Sequence, residues 1–212
     1  MALTLFAFPG SCSLTGMIAL EEAAVPYEVF VLDMFEGQHL DTDYLTLNPK
    51  GKIPTLLVDG QPLTETVAIL TYIADLRADA HMLPSVGLPL ERALVVSKAA
   101  WLASSTLSAF NRLFLPGNAC SDEAAEQSVR EAARTTIKKD LCILESELAP
   151  TGYWLGEFSI ADIFAFFIHQ VATQCSMDLD DLPKFVGLTS RLAERPAFRC
   201  AMAWTREFVT HA

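Results

Sequence analysis

The chain has 212 residues, a formal net charge of −11, and a hydrophobic fraction of 51%. This length suits one large or two small domains with a substantial core, and the negative charge argues against binding to nucleic acid or to an anionic membrane surface. No apolar run approaches the roughly 18 residues of a membrane span, and no basic stretch precedes an apolar run at the N-terminus. We therefore expect a cytoplasmic protein without a membrane segment.

The five cysteines are scattered and include no CxxC pair: Cys12, Cys120, Cys142, Cys175 and Cys200. An odd, unpaired set of this kind favours reduced thiols in the cytoplasm. It also argues against a zinc site, so we expect no metal.

The first 76 residues alternate between strand and helix patterns. The predicted elements are a strand at 3–8, a helix at 14–24, a strand at 27–32, a short helix near 41–47, strands at 55–58 and 61–63, and a helix at 65–76. Asp59-Gly60 is a strong hairpin signal between the last two strands. The first three elements form a βαβ unit, whose strands should be parallel with a right-handed crossover. The order β-α-β-α-β-β-α predicts a thioredoxin-like α/β domain over residues 1–76.

The pattern changes after residues 77–87, which we interpret as a linker. Residues 88–212 predict only helices, at 88–115, from Ser121 to about 148, at 160–173, at 182–194, and at 196–209. Ser159 and Asp162 form a capping-box pattern at the start of an almost wholly apolar helix, which favours a structural role for both residues. We therefore expect an all-helical second domain.

One stretch of the first domain, residues 48–58, suggests a binding site. Pro54 must open the following strand because proline cannot donate within a ladder. In a cis Ile53-Pro54 bond, Ile53 would present its backbone to an extended peptide, although a trans bond is the commoner form. Lys50 and Lys52 are the only cations among ten carboxylates in residues 1–76, so an anionic ligand there would depend on them and on helix N-termini.

A second candidate lies where the first helix begins, at Cys12 and Ser13. A helix N-terminus lowers the pKa of a cysteine thiol, and a serine there can donate a hydrogen bond to a bound thiolate. The alternative interpretation is that Cys12 is a small buried apolar residue and Ser13 an N-cap.

Four stretches together resemble the bacterial cytosolic glutathione transferases, most closely the beta class. They are Pro9-Gly10-Ser11-Cys12-Ser13-Leu14, Asn48-Pro49-Lys50-Gly51-Lys52-Ile53-Pro54, Leu63-Thr64-Glu65-Thr66-Val67-Ala68-Ile69, and Ser159-Ile160-Ala161-Asp162. Their order and spacing match over essentially the whole chain. The resemblance implies a thioredoxin-like domain, an all-helical domain, glutathione as co-substrate, and usually a homodimer.

The resemblance also implies how glutathione is held. The proline matching Pro54 is cis in the family, and the residue matching Ile53 pairs through its backbone with the cysteinyl unit. Glu65 and Thr66 match the pair that holds the γ-glutamyl end, and Lys52, together with Lys50, can serve the glycyl carboxylate. The remaining matches lie nearest the sulfur: Ser11, Cys12 and Ser13.

One departure from the beta class concerns its histidine on the first long helix. An ungapped count from Trp101 places Phe110 there, with Asn111 next, while the four histidines of this chain lie elsewhere (His39, His81, His169 and His211). Asn111 can offer a hydrogen bond instead. Between the two domains we expect a pocket for a hydrophobic substrate, lined by Phe110, Asn111 and Phe114, although ordinary helix packing also explains these aromatic residues.

Three functions remain open from the sequence. The first is a transferase that lowers the pKa of the glutathione thiol and directs the thiolate at a small hydrophobic electrophile. The second makes Cys12 the nucleophile of a thiol transferase or of a reductive ether-cleaving or dehalogenating enzyme. The third is a non-catalytic binding module of the same fold; the Ile53-Pro54 and Glu65-Thr66 pairs argue against it.

Overall fold

The computed structural model describes residues 1–209, with side chains described as far as Arg206. The strands are β1 (Leu3–Ala7), β2 (Glu28–Val31), β3 (Thr55–Val58) and β4 (Gln61–Thr64). The α-helices are α1 (Ser13–Glu22), α2 (Thr42–Leu47), α3 (Thr66–Leu76), α4 (Pro89–Trp101), α5 (Leu107–Phe114), α6 (Glu126–Glu147), α7 (Ile160–Gln174), α8 (Pro183–Ala193) and α9 (Pro196–Val209).

The four strands form one sheet in the order β2-β1-β3-β4. β1 and β2 are parallel, whereas β3 is antiparallel to both β1 and β4. The parallel βαβ unit and the β3–β4 hairpin are therefore confirmed. Leu5 of β1 pairs directly with Leu56 of β3, and both side chains are fully buried. The central strands thus carry the core of this part of the chain.

Helix α1 packs closely against this sheet and is buried from Ser13 to Leu20. The two elements are in close contact at Gly16, where a Cβ would lie 3.4 Å from a methyl group of Leu5, an ordinary van der Waals distance. Helices α3 and α9 also contact α1. Arg195, just before α9, donates to both carboxylate oxygens of Glu22 at 2.7 and 2.9 Å. The C-terminal helix therefore stabilises the first helix of the chain.

The predicted long helix at 88–115 is present but contains a π-helical turn at Leu102–Thr106, between α4 and α5. The buried carboxylate of Asp140 on α6 accepts hydrogen bonds from Ser105 and Thr106 in this turn, at 3.1 and 2.9 Å. A π-turn adds one residue to the helix. Side chains beyond it therefore occupy a different face from the one that a regular helix predicts.

The same continuous helix, Pro89–Phe114, has a mean hydropathy of 1.3 over its most apolar window, and 33% of that window is buried. By length and composition alone it is long and apolar enough to cross a membrane, which the sequence analysis did not expect. This is weak evidence for a membrane span, because core helices of soluble proteins pass the same test. In this chain, α5 packs against α6.

The predicted capping box at the start of α7 is confirmed. Asp162 accepts hydrogen bonds from the backbone and the hydroxyl of Ser159, both at 2.9 Å, and from the backbone N–H of Trp154 at 2.8 Å. Helix α7 is buried along most of its length, as its apolar sequence predicts. The start predicted at Ser121 is displaced, because the side chain of Asp122 caps a 3-10 turn at Glu123–Ala125 that precedes α6.

The described residues form two compact units, one comprising residues 1–92 with the segment that begins at Ala193, the other Ala93–Leu192. The ion pair between Arg92 and Asp75 lies within the first unit, as does the one between Arg195 and Glu22. The predicted domains have other boundaries, 1–76 and 88–212 with the linker 77–87, because they follow the change from mixed strand and helix patterns to helix patterns alone. We retain them as a proposal about domain organisation.

Candidate active site

Two buried side chains hold the loop before β3 in place by donating hydrogen bonds to the backbone carbonyl oxygen of Lys52. Tyr44 donates a hydrogen bond to this oxygen at 2.6 Å, and Asn48 donates to it at 2.6 Å as well. The side chains of Tyr44 and Asn48 also lie within hydrogen-bonding distance of the Thr55 hydroxyl. The Ile53-Pro54 bond is cis, as the family resemblance implied. The loop is therefore fixed on both sides of Lys52 and Ile53.

The backbone of Ile53 faces the start of α1. Its carbonyl oxygen accepts a hydrogen bond from the Cys12 thiol, with the sulfur at 3.4 Å. Its N–H group has no hydrogen-bond partner among residues 1–209. A free backbone donor beside an accepting carbonyl is the pairing edge that an extended peptide uses.

Cys12 lies between two segments that are distant from it in sequence. The Thr66 hydroxyl, in the first turn of α3, donates to its sulfur at 3.6 Å. Burial raises the pKa of the Cys12 thiol above its ordinary value of 9.0, and the hydrogen bond from Thr66 offsets this only in part. The lowered pKa expected from the helix N-terminus is therefore wrong for the ligand-free protein, because desolvation outweighs the other contributions.

Ser11 and Ser13 stabilise the turn between β1 and α1. The Ser13 side chain is buried, and its hydroxyl donates to the carbonyl oxygen of Phe8 at 3.1 Å and lies 2.7 Å from the Ser11 hydroxyl. The Ser11 hydroxyl also donates to the Phe8 carbonyl and accepts from the backbone N–H of Ser13. Both hydroxyl groups are thus engaged within the turn.

Glu65 immediately precedes α3 in an unusual backbone conformation, with φ 72° and ψ 118°. Such strained residues concentrate at functional sites. Its carboxylate accepts a hydrogen bond from the ammonium group of Lys50 at 2.7 Å, and Lys50 also donates to the Thr64 hydroxyl at 2.7 Å. Lys52 is exposed, and its ammonium group forms no hydrogen bond or ion pair with the described residues.

The sequence analysis gave no role to His39, which lies beside this loop. A Cβ at Gly51, where φ is +58°, would come within 3.2 Å of the His39 carbonyl oxygen, so only glycine suits the position. The Nδ1 atom of His39 is buried without a hydrogen-bond partner. Such an orphaned polar atom is a structural signal that sequence pattern did not reveal.

The predicted hydrophobic contacts on α5 lie on different faces of the helix. Phe110 is fully buried, whereas Asn111 and Phe114 are exposed. Asn111 rather than Phe110 therefore carries the open face. No histidine lies on α5, and His211 is outside the described residues.

Within residues 1–209, no group of three or more histidine, cysteine, aspartate or glutamate side chains is arranged to hold a metal ion. The structure brings together five of the predicted site residues in the first unit: Cys12, Ile53, Pro54, Glu65 and Thr66. Phe110, Asn111 and Phe114 belong to the second unit.

Comparison with known proteins identifies both parts of the chain. Residues 1–75 match the family described as "Glutathione S-transferase, N-terminal domain", and residues 102–196 match "Glutathione S-transferase, C-terminal domain". The glutathione S-transferase GstA of Escherichia coli O157:H7 is 29% identical over 202 residues, covering 94% of this chain and 96% of the relative.

Two solved structures extend the match. A beta-class glutathione S-transferase of Sphingomonas chungbukensis is 35% identical, with a TM-score of 0.83 over 95% of this chain and 98% of that one. A sphingomonad glutathione S-transferase solved in complex with glutathione is 33% identical, with a TM-score of 0.84 over the same shares. The chain belongs to the glutathione S-transferase family, a family of transferases.

Proposed function

We propose that the protein activates the thiol of glutathione and directs the resulting thiolate at a small hydrophobic electrophile. The observation that carries this proposal is the peptide-pairing edge at Ile53, whose backbone N–H is unpaired and whose carbonyl oxygen accepts from the Cys12 thiol. The same thiol accepts a hydrogen bond from the Thr66 hydroxyl in the first turn of α3. The glutathione bound in the sphingomonad relative supports the same ligand here.

Each end of glutathione has a suitable partner in the first unit. The Ile53 N–H can donate to the cysteinyl carbonyl of the tripeptide, and the Glu65 carboxylate can accept from the γ-glutamyl ammonium. The backbone N–H of Thr66, at the start of α3, can donate to the γ-glutamyl carboxylate. Lys52, with no partner of its own, can bind the glycyl carboxylate, and His39 lies beside the same loop.

Cys12 acts in this proposal as a hydrogen-bond donor rather than as the nucleophile. Its raised pKa keeps the thiol protonated at neutral pH, and its S–H now donates to the Ile53 carbonyl. A bound peptide offers its own N–H to that carbonyl, which releases the Cys12 S–H toward the glutathione sulfur. Glutathione loses its thiol proton to solvent, and the thiolate attacks the electrophile, forming a sulfur–carbon bond as the leaving group departs.

Calorimetry and ultraviolet absorbance test the proposal directly. Glutathione should release heat and raise the melting temperature, with a dissociation constant on the order of micromolar to millimolar, as is usual for an enzyme substrate. The absorbance of the bound thiolate should fall in Cys12→Ala, which lacks the S–H donor. The matched control is Cys142→Ala, an exposed thiol outside this unit. Absence of heat and of thermal stabilisation at saturating glutathione would contradict the function.

The alternative, a nucleophilic Cys12, makes a different chemical prediction. It requires a mixed disulfide between Cys12 and glutathione, which mass spectrometry of the intact protein under non-reducing conditions detects. Full thiol-transfer activity in Cys12→Ala would exclude this alternative. We favour the donor role because burial raises the pKa of the Cys12 thiol.

The electrophile and the assembly are also part of the proposal. The open face of α5 offers Asn111 and Phe114 to an apolar acceptor, so Phe114→Ala should raise the KM for an aromatic electrophile while leaving the KM for glutathione unchanged.

Three leucines at the start of α4 are exposed, Leu88, Leu90 and Leu94, and we propose that a second copy of the chain covers them. Light scattering should then give twice the chain mass of 23.2 kDa, and Leu90→Glu should give one chain mass.

A further inference from the structure

We infer that Lys50 controls which ligands the Glu65 carboxylate accepts, by occupying the position of a ligand ammonium group in the free protein. A ligand that brings its own ammonium displaces Lys50, and a ligand without one leaves it in place. This inference rests on the proposed function and adds to it a residue that sets the selectivity of the γ-glutamyl end.

The Lys50 ammonium group contacts Glu65 in the way that the ammonium group of a ligand would. The Lys50 nitrogen lies 2.7 Å from Oε1 of Glu65 and 2.7 Å from the Thr64 hydroxyl, so it donates to two neighbouring acceptors at once. Glu65 is held at φ 72° just before α3. Lys50 lies in the loop before β3. Asn48 fixes this loop, because its carbonyl oxygen accepts from the N–H of Gly51 and its side chain donates to the carbonyl oxygen of Lys52. Both partners therefore approach each other from constrained backbones.

The contact is also easy to exchange. The side chains of Lys50 and Glu65 are 45% and 71% exposed, and exposed ion pairs contribute only about 0–1 kcal/mol. A ligand that Ile53 and Lys52 bind at its other end holds its own ammonium group close to Glu65. That ammonium group competes favourably with Lys50, because its binding to Glu65 is then intramolecular. Lys50 thus shields the carboxylate without closing the site.

The neighbouring lysine provides a matched comparison. Lys52 lies two residues further along the same loop, carries the same charge, and has no ion-pair partner among the described residues. Replacing Lys52 with an uncharged residue removes a positive charge that can bind a carboxylate of any ligand. Loss of Lys50 leaves Glu65 unpaired, which favours a ligand with an ammonium and repels a ligand that places an apolar or acidic group there.

The experiment compares two ligands in three proteins. The ligands are glutathione and glutaryl-cysteinylglycine, which has the same skeleton and the same two carboxylates but carries a hydrogen atom in place of the α-ammonium group. The proteins are the wild type, Lys50→Met and Lys52→Met, each titrated by calorimetry at low salt. In Lys50→Met, the preference for glutathione over glutaryl-cysteinylglycine should rise by about two- to five-fold, the range that corresponds to a measurable exposed ion pair.

Lys52→Met should weaken both ligands by the same factor and leave the preference unchanged. An unchanged preference in Lys50→Met, or equal weakening of both ligands, would overturn the inference and make Lys50 an ordinary cation of the site. Lys50→Gln repeats the test with a polar side chain of similar length. Failure of the wild type to bind glutathione at all would instead contradict the proposed function itself, so the two failures are distinguishable.

Discussion

The starts of α1 and α7 carry side chains, Cys12 and Asp162, with opposite kinds of hydrogen-bond partner. At α7, a buried carboxylate accepts three hydrogen bonds of 2.8–2.9 Å from Trp154 and Ser159, all within eight residues of Asp162. At α1, the Cys12 thiol makes two long sulfur contacts, at 3.4 Å to Ile53 and at 3.6 Å to Thr66, which lie 41 and 54 residues away. The Asp162 side chain thus makes short bonds to residues near it in sequence, whereas the Cys12 thiol makes long contacts to residues far from it.

The difference separates a structural cap from a binding site. Short hydrogen bonds to a buried carboxylate are expensive to break, because the partners are left without water. Weak sulfur contacts to a backbone carbonyl and a hydroxyl can be replaced by a ligand that offers the same groups. Replaceable partners, rather than the helix N-terminus as such, therefore mark the α1 end as the candidate active site.

The largest expected effect comes from removing the carboxylate at α7. Asp162→Ala leaves the buried N–H groups of Trp154 and Ser159 without an acceptor, so the free energy of unfolding should fall by about 4 kcal/mol. Urea denaturation at pH 7 measures the change. Asp122→Ala is the control, since Asp122 caps an exposed 3-10 turn with one bond of 3.0 Å and should cost only about 0.5–1 kcal/mol. Equal losses in the two variants would contradict the comparison.

The next effect is a pH dependence that Asp162 alone confers. Burial raises the pKa of this carboxyl from 3.8 to about 6. A raised pKa means that the folded protein binds the proton more tightly than the unfolded chain. The stability contributed by the protonated group is complete below pH 3.8 and is lost as the pH rises through about 6, a swing of about 3 kcal/mol.

This swing is measured as a difference between proteins. Asp162→Asn does not titrate at this position, so the wild type should lose stability relative to Asp162→Asn between pH 4 and pH 7 in denaturant titrations. A wild type that instead gains stability over that range would show that the three donors lower the pKa more than burial raises it.

The sequence predicted those parts of the molecule that depend on neighbouring residues. Strand β3 and helix α9 have the predicted bounds because sharp local signals define them, Asp59-Gly60 after the strand and Pro196 at the helix start. The capping box of Ser159 and Asp162 was also correct, since its partners lie three residues apart. The helix start at Cys12 was likewise predicted from local pattern, whereas the cis Ile53-Pro54 bond was implied only by the family resemblance.

The parts that were missed depend on residues far apart in the chain. The π-turn at Leu102–Thr106 is bonded to Asp140, 34 residues beyond Thr106, and no local periodicity predicts it. The pKa of Cys12 was expected to fall because the helix start is visible in the sequence, whereas the burial that raises it is not. The pairing of Lys50 with Glu65 spans 15 residues for the same reason.

A smaller effect is expected at Ser13, which lies next to Cys12 but is bonded inside the turn. Ser13→Ala removes the hydrogen bond to the Phe8 carbonyl from a buried site, so the free energy of unfolding should fall by about 1 kcal/mol. Ser146→Ala, whose hydroxyl bonds on the exposed surface of α6, should change it little. Thiolate absorbance of bound glutathione should be unchanged in Ser13→Ala; a fall would give Ser13 a direct role at the sulfur.

The smallest effect on stability is expected at Cys12 itself. Cys12→Ser replaces two weak sulfur contacts with a similar hydroxyl, so the free energy of unfolding should change by less than about 0.5 kcal/mol. The informative measurement is the alkylation of Cys12 by iodoacetamide as a function of pH. Because burial raises its pKa, the thiol should remain protonated and slow to react at pH 7–8, and the midpoint of its reactivity should lie above pH 9.0. The exposed Cys142 provides the internal reference for reagent access in the same sample. A midpoint below pH 9.0 would mean that the α1 terminus and Thr66 outweigh desolvation, and Cys12 would then have the properties of a nucleophile.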